Sequence, residues 1–187
     1  MKNPFLIGKK IYLRPLELTD LEKITAFRNN QACRDYFVED ILYPTTHLDN
    51  EQFIKDFTQN KSNVVLAITI RESDKLIGYA GLTKISRVSQ NAEYFIFIGD
   101  ETEWNKGYAS EVTKLIVEYG FETINLHKVW LAVFEENVAG KKAYQKAGFS
   151  EEGFLRESAF RNGKFHNIIL MGILKEEYKK IKASGRF

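Results

Sequence analysis

The sequence predicts an α/β fold, a mixed and mostly antiparallel sheet flanked by helices, from three observations. Runs of β-branched and aromatic residues between positions 64 and 98 are broken by turn signals and read as a three-stranded antiparallel meander. After Gly107 the apolar spacing changes from the alternation of a strand to that of a helix. Near the C-terminus Asn162-Gly163 stands between two apolar runs, the strongest short-range signal for a hairpin.

Each element follows from its local pattern. Ile11, Leu13 and Pro15 alternate with polar positions, so residues 10–15 read as a strand. Thr19 or Asp20 then caps a helix whose Leu21, Ile24, Phe27 and Arg28 recur at helical spacing. A looser stretch from Asp35 to Leu48 carries Pro44. Asp49 opens a second short helix with Phe53, Ile54 and Phe57 on one face. Strands follow at Val64–Ile70, Leu76–Ile85 and Asn91–Ile98, the first two separated by the polar turn Glu72-Ser73-Asp74-Lys75. Ala109, Val112, Leu115, Ile116 and Tyr119 mark a helix from Gly107. Lys128–Phe134 is a short strand, and Val138–Ala147 a helix that stops at Gly148, a residue suited to a left-handed helix end. The hairpin joins Phe154–Phe160 to Phe165–Leu174, and a helix over Lys175–Lys182 closes the chain.

Composition limits the function. The chain has 187 residues, 44% of them hydrophobic and including 14 Phe and 9 Tyr, which fits one domain over residues 1–187 with a real core. Charged residues make up 28% but leave a formal +2, too small an excess to attract nucleic acid. The single cysteine, Cys33, forms no internal disulfide and reads as a small buried or half-buried helix residue. No apolar run is long enough to span a bilayer, and Met1–Lys10 carries no hydrophobic signal segment. The expectation is a cytoplasmic protein with no membrane partner. His47, His127 and His166 lack metal-ligand spacing, so no metal is expected. A serine hydrolase is disfavoured because no Gly-x-Ser-x-Gly elbow is present.

Two segments carry chemistry. In the first, Ile96-Phe97-Ile98-Gly99-Asp100 ends a strand, and Trp104-Asn105-Lys106-Gly107-Tyr108-Ala109-Ser110 leads straight into a helix. The first turn of a helix has unpaired N–H groups and a positive dipole end, a ready anion site. Gly107 and Ala109 let a bulky anion approach the backbone, and Lys106 adds positive charge. Neither a nucleotide P-loop nor a dinucleotide fingerprint fits the glycine spacing. The second segment runs from Asn137 to Phe149. Asn137 and Tyr144 are two helical turns apart and share a face. Singly, each reads as a helix cap and a core aromatic.

Together these segments resemble the GNAT superfamily of N-acetyltransferases. Trp104–Ala109 is similar to its pyrophosphate-binding loop, with Trp104 where Gln or Arg is commoner. Asn137–Phe149 is similar to its Asn…Tyr…Gly-Phe segment, with Gly140 where Ser is usual. Tyr12-Leu13-Arg14-Pro15-Leu16, Glu152-Gly153-Phe154-Leu155-Arg156 and the closing hairpin resemble the branch that acetylates ribosomal-protein N-termini and spermidine. Ala92–Tyr178 is particularly similar to bacterial spermidine acetyltransferases. The resemblance implies acetyl-CoA as co-substrate, held by Phe97, Ile98, Trp104, Asn105, Lys106, Gly107, Tyr108, Ala109, Ser110, Asn137 and Lys142. It implies Tyr144 as the acid that protonates the departing thiolate, and a bulge in the strand of Phe97 and Ile98 that frees backbone N–H groups for an oxyanion. Glu93, on the strand leading to the loop, reads equally as general base and as a solvated strand residue. Small cationic amines, peptide N-termini, amino sugars and aminoglycosides all suit the fold as acceptors. A non-catalytic acetyl-CoA-binding regulatory domain is the alternative from another class. Homo-oligomers are compatible with this family. Glu39, Asp40, Asp49, Glu51 and Glu157 fall in segments expected to flank the acceptor channel and favour a polyamine.

Overall fold

A computed structural model describes residues 1–38, 43–185 and 187. Glu39 and Asp40 lie outside the described residues. The elements are β1 (Leu6–Ile7), β2 (Ile11–Pro15), α1 (Leu21–Asn29), α2 (Gln31–Arg34), α3 (His47–Gln59), β3 (Val64–Ile70), β4 (Leu76–Ser86), β5 (Asn91–Ile98), α4 (Tyr108–Glu122), β6 (Lys128–Phe134), α5 (Val138–Lys146), β7 (Ser150–Arg161), β8 (Lys164–Leu174) and α6 (Lys175–Ala183). Short 3-10 turns at Leu18–Asp20 and Glu101–Glu103 precede α1 and α4. Among the described residues no helix is long and apolar enough to cross a membrane.

The strands form one eight-stranded sheet in the order β1-β2-β3-β4-β5-β6-β8-β7. Every neighbouring pair is antiparallel except β5 and β6, which are parallel. The alternation of strand side chains sorts the core into two layers. Ala80, Leu82, Ala92, Tyr94, Val129, Leu131 and Val133 face α4 and α5 with Val112, Ile116, Val117 and Phe149. On the opposite face Tyr79, Phe95 and Phe97 pack under α1 and α3 with Ile24, Phe53, Ile54 and Phe57. Cys33 is buried in this second layer, as read, and its Sγ donates to the Gly99 carbonyl at 3.2 Å.

Local details correct several expectations. Asp20 stands at the N-cap of α1 but does not cap it, because its carboxylate is held bidentately by Arg14 at 2.8 and 2.7 Å. The second helix opens at His47 rather than Asp49. Thr46 is the cap, and Asp49 closes a capping box by accepting from the Thr46 N–H at 2.7 Å. The last hairpin starts at Ser150, earlier than the apolar run indicates. Its turn is as the sequence reads, with Asn162 and Gly163 both left-handed at φ 51° and 81°. Gly148 ends α5 at φ 96°, where a Cβ would meet Ile181 at 2.5 Å and Ile173 at 2.8 Å.

Candidate active site

Among the described residues the sheet has one parallel pair, and it divides there. β5 and β6 are laddered at Asn91↔Lys128, Ala92↔Val129 and Glu93↔Trp130, and no further. Beyond Glu93, β5 pairs with β4 alone, and beyond Trp130, β6 pairs with β8 alone. The two strands therefore splay into a gap with unpaired edges. The Ile98 carbonyl turns away from β4 and accepts the Trp104 indole N–H at 2.9 Å. By the two-residue alternation of a ladder, Ile98, Ile96 and Tyr94 present backbone groups to the gap, whereas Phe97 is laddered with Tyr79. On the other side Ala132 and Phe134 face it, the Phe134 carbonyl already accepting from the Asn137 N–H at 3.0 Å. The register of β5 from Glu93 to Ile98 is unbroken, so the strand has no bulge there. The bulge lies in β4 between Thr83 and Ser86, where Lys84 has φ 52°. The gap comes from splay, and Ile98 rather than Phe97 has backbone groups to spare.

The mouth of the gap leads to α4. Gly107 is the N-cap at φ 84°, a left-handed conformation that costs glycine little, and no side chain caps the helix. The N–H groups of Tyr108, Ala109 and Ser110 have no hydrogen-bond partner among the described residues. They sit at the positive end of a 15-residue helix. Trp104 braces the loop, its indole tied to Ile98 and its ring edge-on to Tyr36 at 5.8 Å. Asn105 has φ 62° and is exposed. Lys106 does not project freely. Its ammonium pairs with Glu103 at 2.8 Å, and the same carboxylate holds Lys75 at 2.8 Å. The Lys106 and Lys75 hydrogen bonds keep the Glu103 carboxyl below its ordinary value of 4.5.

α5 flanks the gap on the α4 face. Asn137 caps it, accepting from the Gly140 N–H at 2.8 Å. A Cβ at Gly140 would meet the Asn137 amide at 2.8–2.9 Å, so this cap and a side chain at 140 compete for one space. Lys142 is exposed. Tyr144 packs edge-on against Tyr94 at 6.1 Å and Phe149 at 6.2 Å. Its hydroxyl makes no hydrogen bond among the described residues, and burial pushes its pKa up to about 12. Tyr94 in turn is tied to α4, its hydroxyl 2.9 Å from Thr113 Oγ1, which donates to the Ala109 carbonyl at 2.7 Å.

Glu93 lies on the opposite face of the sheet, at the point where the strands part. Its carboxylate is mostly buried, and Lys84 Nζ lies 2.6 Å from Oε2. Acid and base candidates thus stand on either side of the gap. Of the acidic residues expected along the channel, Asp49 is spent on its capping box and Glu51 on Lys55 at 2.6 Å. Glu157 stays exposed at the register shift between Leu155 and Ala159 of β7, opposite Asn167, which lines a groove with Phe154, Leu155 and Arg156. Arg161 and Trp130 carried no sequence signal, and His166 carried only its place after the hairpin turn, which suits a surface histidine better than an amine-site residue. Arg161 reaches from the hairpin to the Arg34 and Phe37 carbonyls at 3.0 and 3.2 Å. His166 is wedged between Glu136 at 2.9 Å and the Arg161 carbonyl at 3.1 Å. Trp130 pairs with Glu93 across the last rung of the ladder.

A parallel pair splays over a helix start that is open to an anion, with a phenol beside the gap, an arrangement with room for an extended, phosphate-bearing group. Residues 10–150 match the acetyltransferase (GNAT) domain, and the chain belongs to that family of N-acetyltransferases. It is 32% identical over 170 residues to the spermidine N(1)-acetyltransferase of Escherichia coli strain K12, covering 90% of this chain and 88% of that one. It is 31% identical over 173 residues to the spermidine N(1)-acetyltransferase of Vibrio cholerae, covering 92% and 97%. The crystal structure of spermidine N-acetyltransferase from Vibrio cholerae in complex with CoA and spermine superposes with a TM-score of 0.84 at 29% identity, covering 92% of this chain and 99% of that one.

Proposed function

We propose that the protein transfers the acetyl group of acetyl-CoA to a primary amine of a polyamine of the spermidine class, by direct attack. One observation carries the reading: Glu93 and Tyr144 flank, from opposite faces, a gap in the sheet that ends at the bare N-terminus of α4. The amide N–H groups of Tyr108, Ala109 and Ser110 hold the pyrophosphate. Asn105, Lys106 and Lys142 line its surroundings, and Asn137 serves by fixing the start of α5. The gap-facing backbone of Tyr94, Ile96 and Ile98 takes the pantetheine arm, and an Ile98 or Ile96 N–H supports the oxyanion. Polyamines as acceptors are supported by the spermidine acetyltransferases among its relatives.

The protons balance through these residues. The bound alkylammonium gives one proton to Glu93 and attacks the thioester carbonyl carbon. The nitrogen sheds a second proton to solvent as the intermediate collapses and the C–S bond breaks. Tyr144 donates to the leaving thiolate and recovers its proton from water. The products are the N-acetyl amine and free CoA thiol.

The test is a thiol-release assay with spermidine, an amino sugar nucleotide and peptides beginning with Ser or Ala under one set of conditions. Spermidine should give the highest kcat/KM, and a higher value for the peptides refutes the polyamine assignment. Gly107→Glu tests the anion site. A Cβ at Gly107 meets nothing within 4 Å, so the side chain has room, but the left-handed backbone there costs a non-glycine residue about 1–2 kcal/mol, and circular dichroism checks that the variant is folded. Its carboxylate then occupies the helix start, and acetyl-CoA binding should be lost. Undiminished binding by the folded variant refutes the site.

A further inference from the structure

We infer that Glu93 and Trp130 form the seat for the acceptor's ammonium, and that Lys84 fills this seat as an internal competitor until substrate arrives. The inference rests on the amine-acetylating reading and says how that site is guarded.

The seat has two walls. Glu93 and Trp130 are partners across the last rung before β5 and β6 separate, so both side chains project on the same face. A carboxylate beside an indole is a chemistry that selects alkylammonium ions by charge and by cation–π attraction. The protein's own lysine fits it. Lys84 Nζ lies 2.6 Å from Glu93 Oε2 and 5.7 Å from the centre of the Trp130 ring.

Lys84 reaches the seat because of the bulge in β4. Ala80 and Leu82 point into the α4-side core, and simple alternation would send residue 84 the same way. The register shift between Thr83 and Ser86 gives that core position to Ile85 and turns Lys84, at φ 52°, towards the other face. Re-aiming a side chain beside a site is a recurrent use of bulges. The left-handed backbone is held by the Lys84 N–H bond to Asn63 Oδ1 at 3.2 Å.

The contact is built to be displaced. The Lys84 side chain is 68% exposed and Glu93 only 17%, so the lysine can swing into solvent while the carboxylate stays. Oε2 is buried, and among the described residues no donor is aligned on it as a hydrogen bond, the lysine meeting it off-axis as an ion pair. A substrate ammonium that aligns an N–H on this oxygen displaces the lysine and is then bonded to the group that removes its proton.

Steady-state kinetics with spermidine at saturating acetyl-CoA decide the matter. Lys84→Met keeps the aliphatic stem and removes the competing charge. The KM for spermidine should fall about two- to fivefold, the range expected when a solvent-exposed ion pair no longer competes. Trp130→Leu should raise that KM about two- to fivefold, as loss of a cation–π contact predicts. Trp130→Phe should restore most of it, and the KM for acetyl-CoA should hold in all three variants. A spermidine KM that is unchanged or raised in Lys84→Met overturns the inference and leaves amine acetylation standing. Failure of the unaltered protein to acetylate any amine overturns the catalytic reading instead. Calorimetric binding of spermidine in the presence of CoA then still decides on Lys84: tighter binding by Lys84→Met supports the competitor role, and equal or weaker binding overturns it.

Discussion

Tyr144 is the acid in the proposed reaction, and its environment sets its protonation. Burial raises its pKa to about 12 from an ordinary 10.0. The folded protein therefore holds the phenol proton more tightly than the unfolded chain does. The stability this contributes is intact below pH 10.0 and is lost as pH rises towards about 12. At neutral pH the group is fully in its acid form. Tyr144→Phe should lower kcat by about 10- to 1000-fold and leave the KM for acetyl-CoA nearly constant. A kcat within twofold of wild type in single-turnover measurements makes Tyr144 a packing residue only. Trp104 is the other test at this scale. Trp104→Phe deletes the indole bond to Ile98, a net loss of about 1 kcal/mol, and should raise the KM for acetyl-CoA about fivefold. An unchanged KM would show that the loop needs no such brace. The sequence placed Tyr144 on the face of Asn137 by a spacing of two helical turns, and the role of acid came from the family resemblance. It could not reveal that Lys106 is tied to Glu103 or that Lys84 reaches Glu93, because those pairings depend on turns and bulges whose geometry no spacing encodes.

Among the elements, α4 and the β7–β8 hairpin divide the work. α4 was legible because its start carries small residues and its interior repeats at helical spacing. The hairpin was legible at its Asn-Gly turn but not at its origin. Ser150–Glu152 has no apolar alternation, and the ladder with Gly172 and Met171 alone makes it a strand. Its docking was equally hidden. Arg161 spans from the hairpin tip to the C-terminal end of α2 and the residues just after it, bonding two carbonyls there. In the proposed site this clamp belongs to the acceptor side, its guanidinium also lying 5.9 Å over the Phe134 ring. Arg161→Met should raise the KM for spermidine severalfold while the KM for acetyl-CoA stays constant. Parallel increases in both constants would indicate a general loosening and contradict the separation of roles.

The whole molecule is a sheet held closed at one end and split at the other. Three rungs join β5 to β6, and beyond them the halves are held together by α4, α5, the core layer that includes Tyr94, Val112, Val133 and Phe149, and the Arg161 clamp. The pattern of apolar residues along the chain predicts the strands but not this split, because β5 and β6 are brought side by side by a helical crossover. Val129, Leu131 and Val133 look the same whether or not their strand is paired on both sides. The split makes a prediction about the free and bound protein. The amides of Ile96, Ile98, Ala132 and Phe134 face the gap without ladder partners, so they should exchange with solvent faster than those of Leu66 and Ile68, which lie between paired strands on both sides. A ligand that bonds both edges ties the halves together. At about 100 times its Kd, binding stabilises the protein by about 2.7 kcal/mol, enough to slow exchange at the bonded edges by about tenfold or more. Hydrogen-exchange mass spectrometry with and without saturating CoA should therefore show new protection in both 94–98 and 131–134, and at the start of α4. Protection confined to Tyr108–Ser110 would mean that the phosphates bind but the pantetheine does not run through the gap. The acid and base flanking it would then face no thioester, and the proposed chemistry would fail on that result.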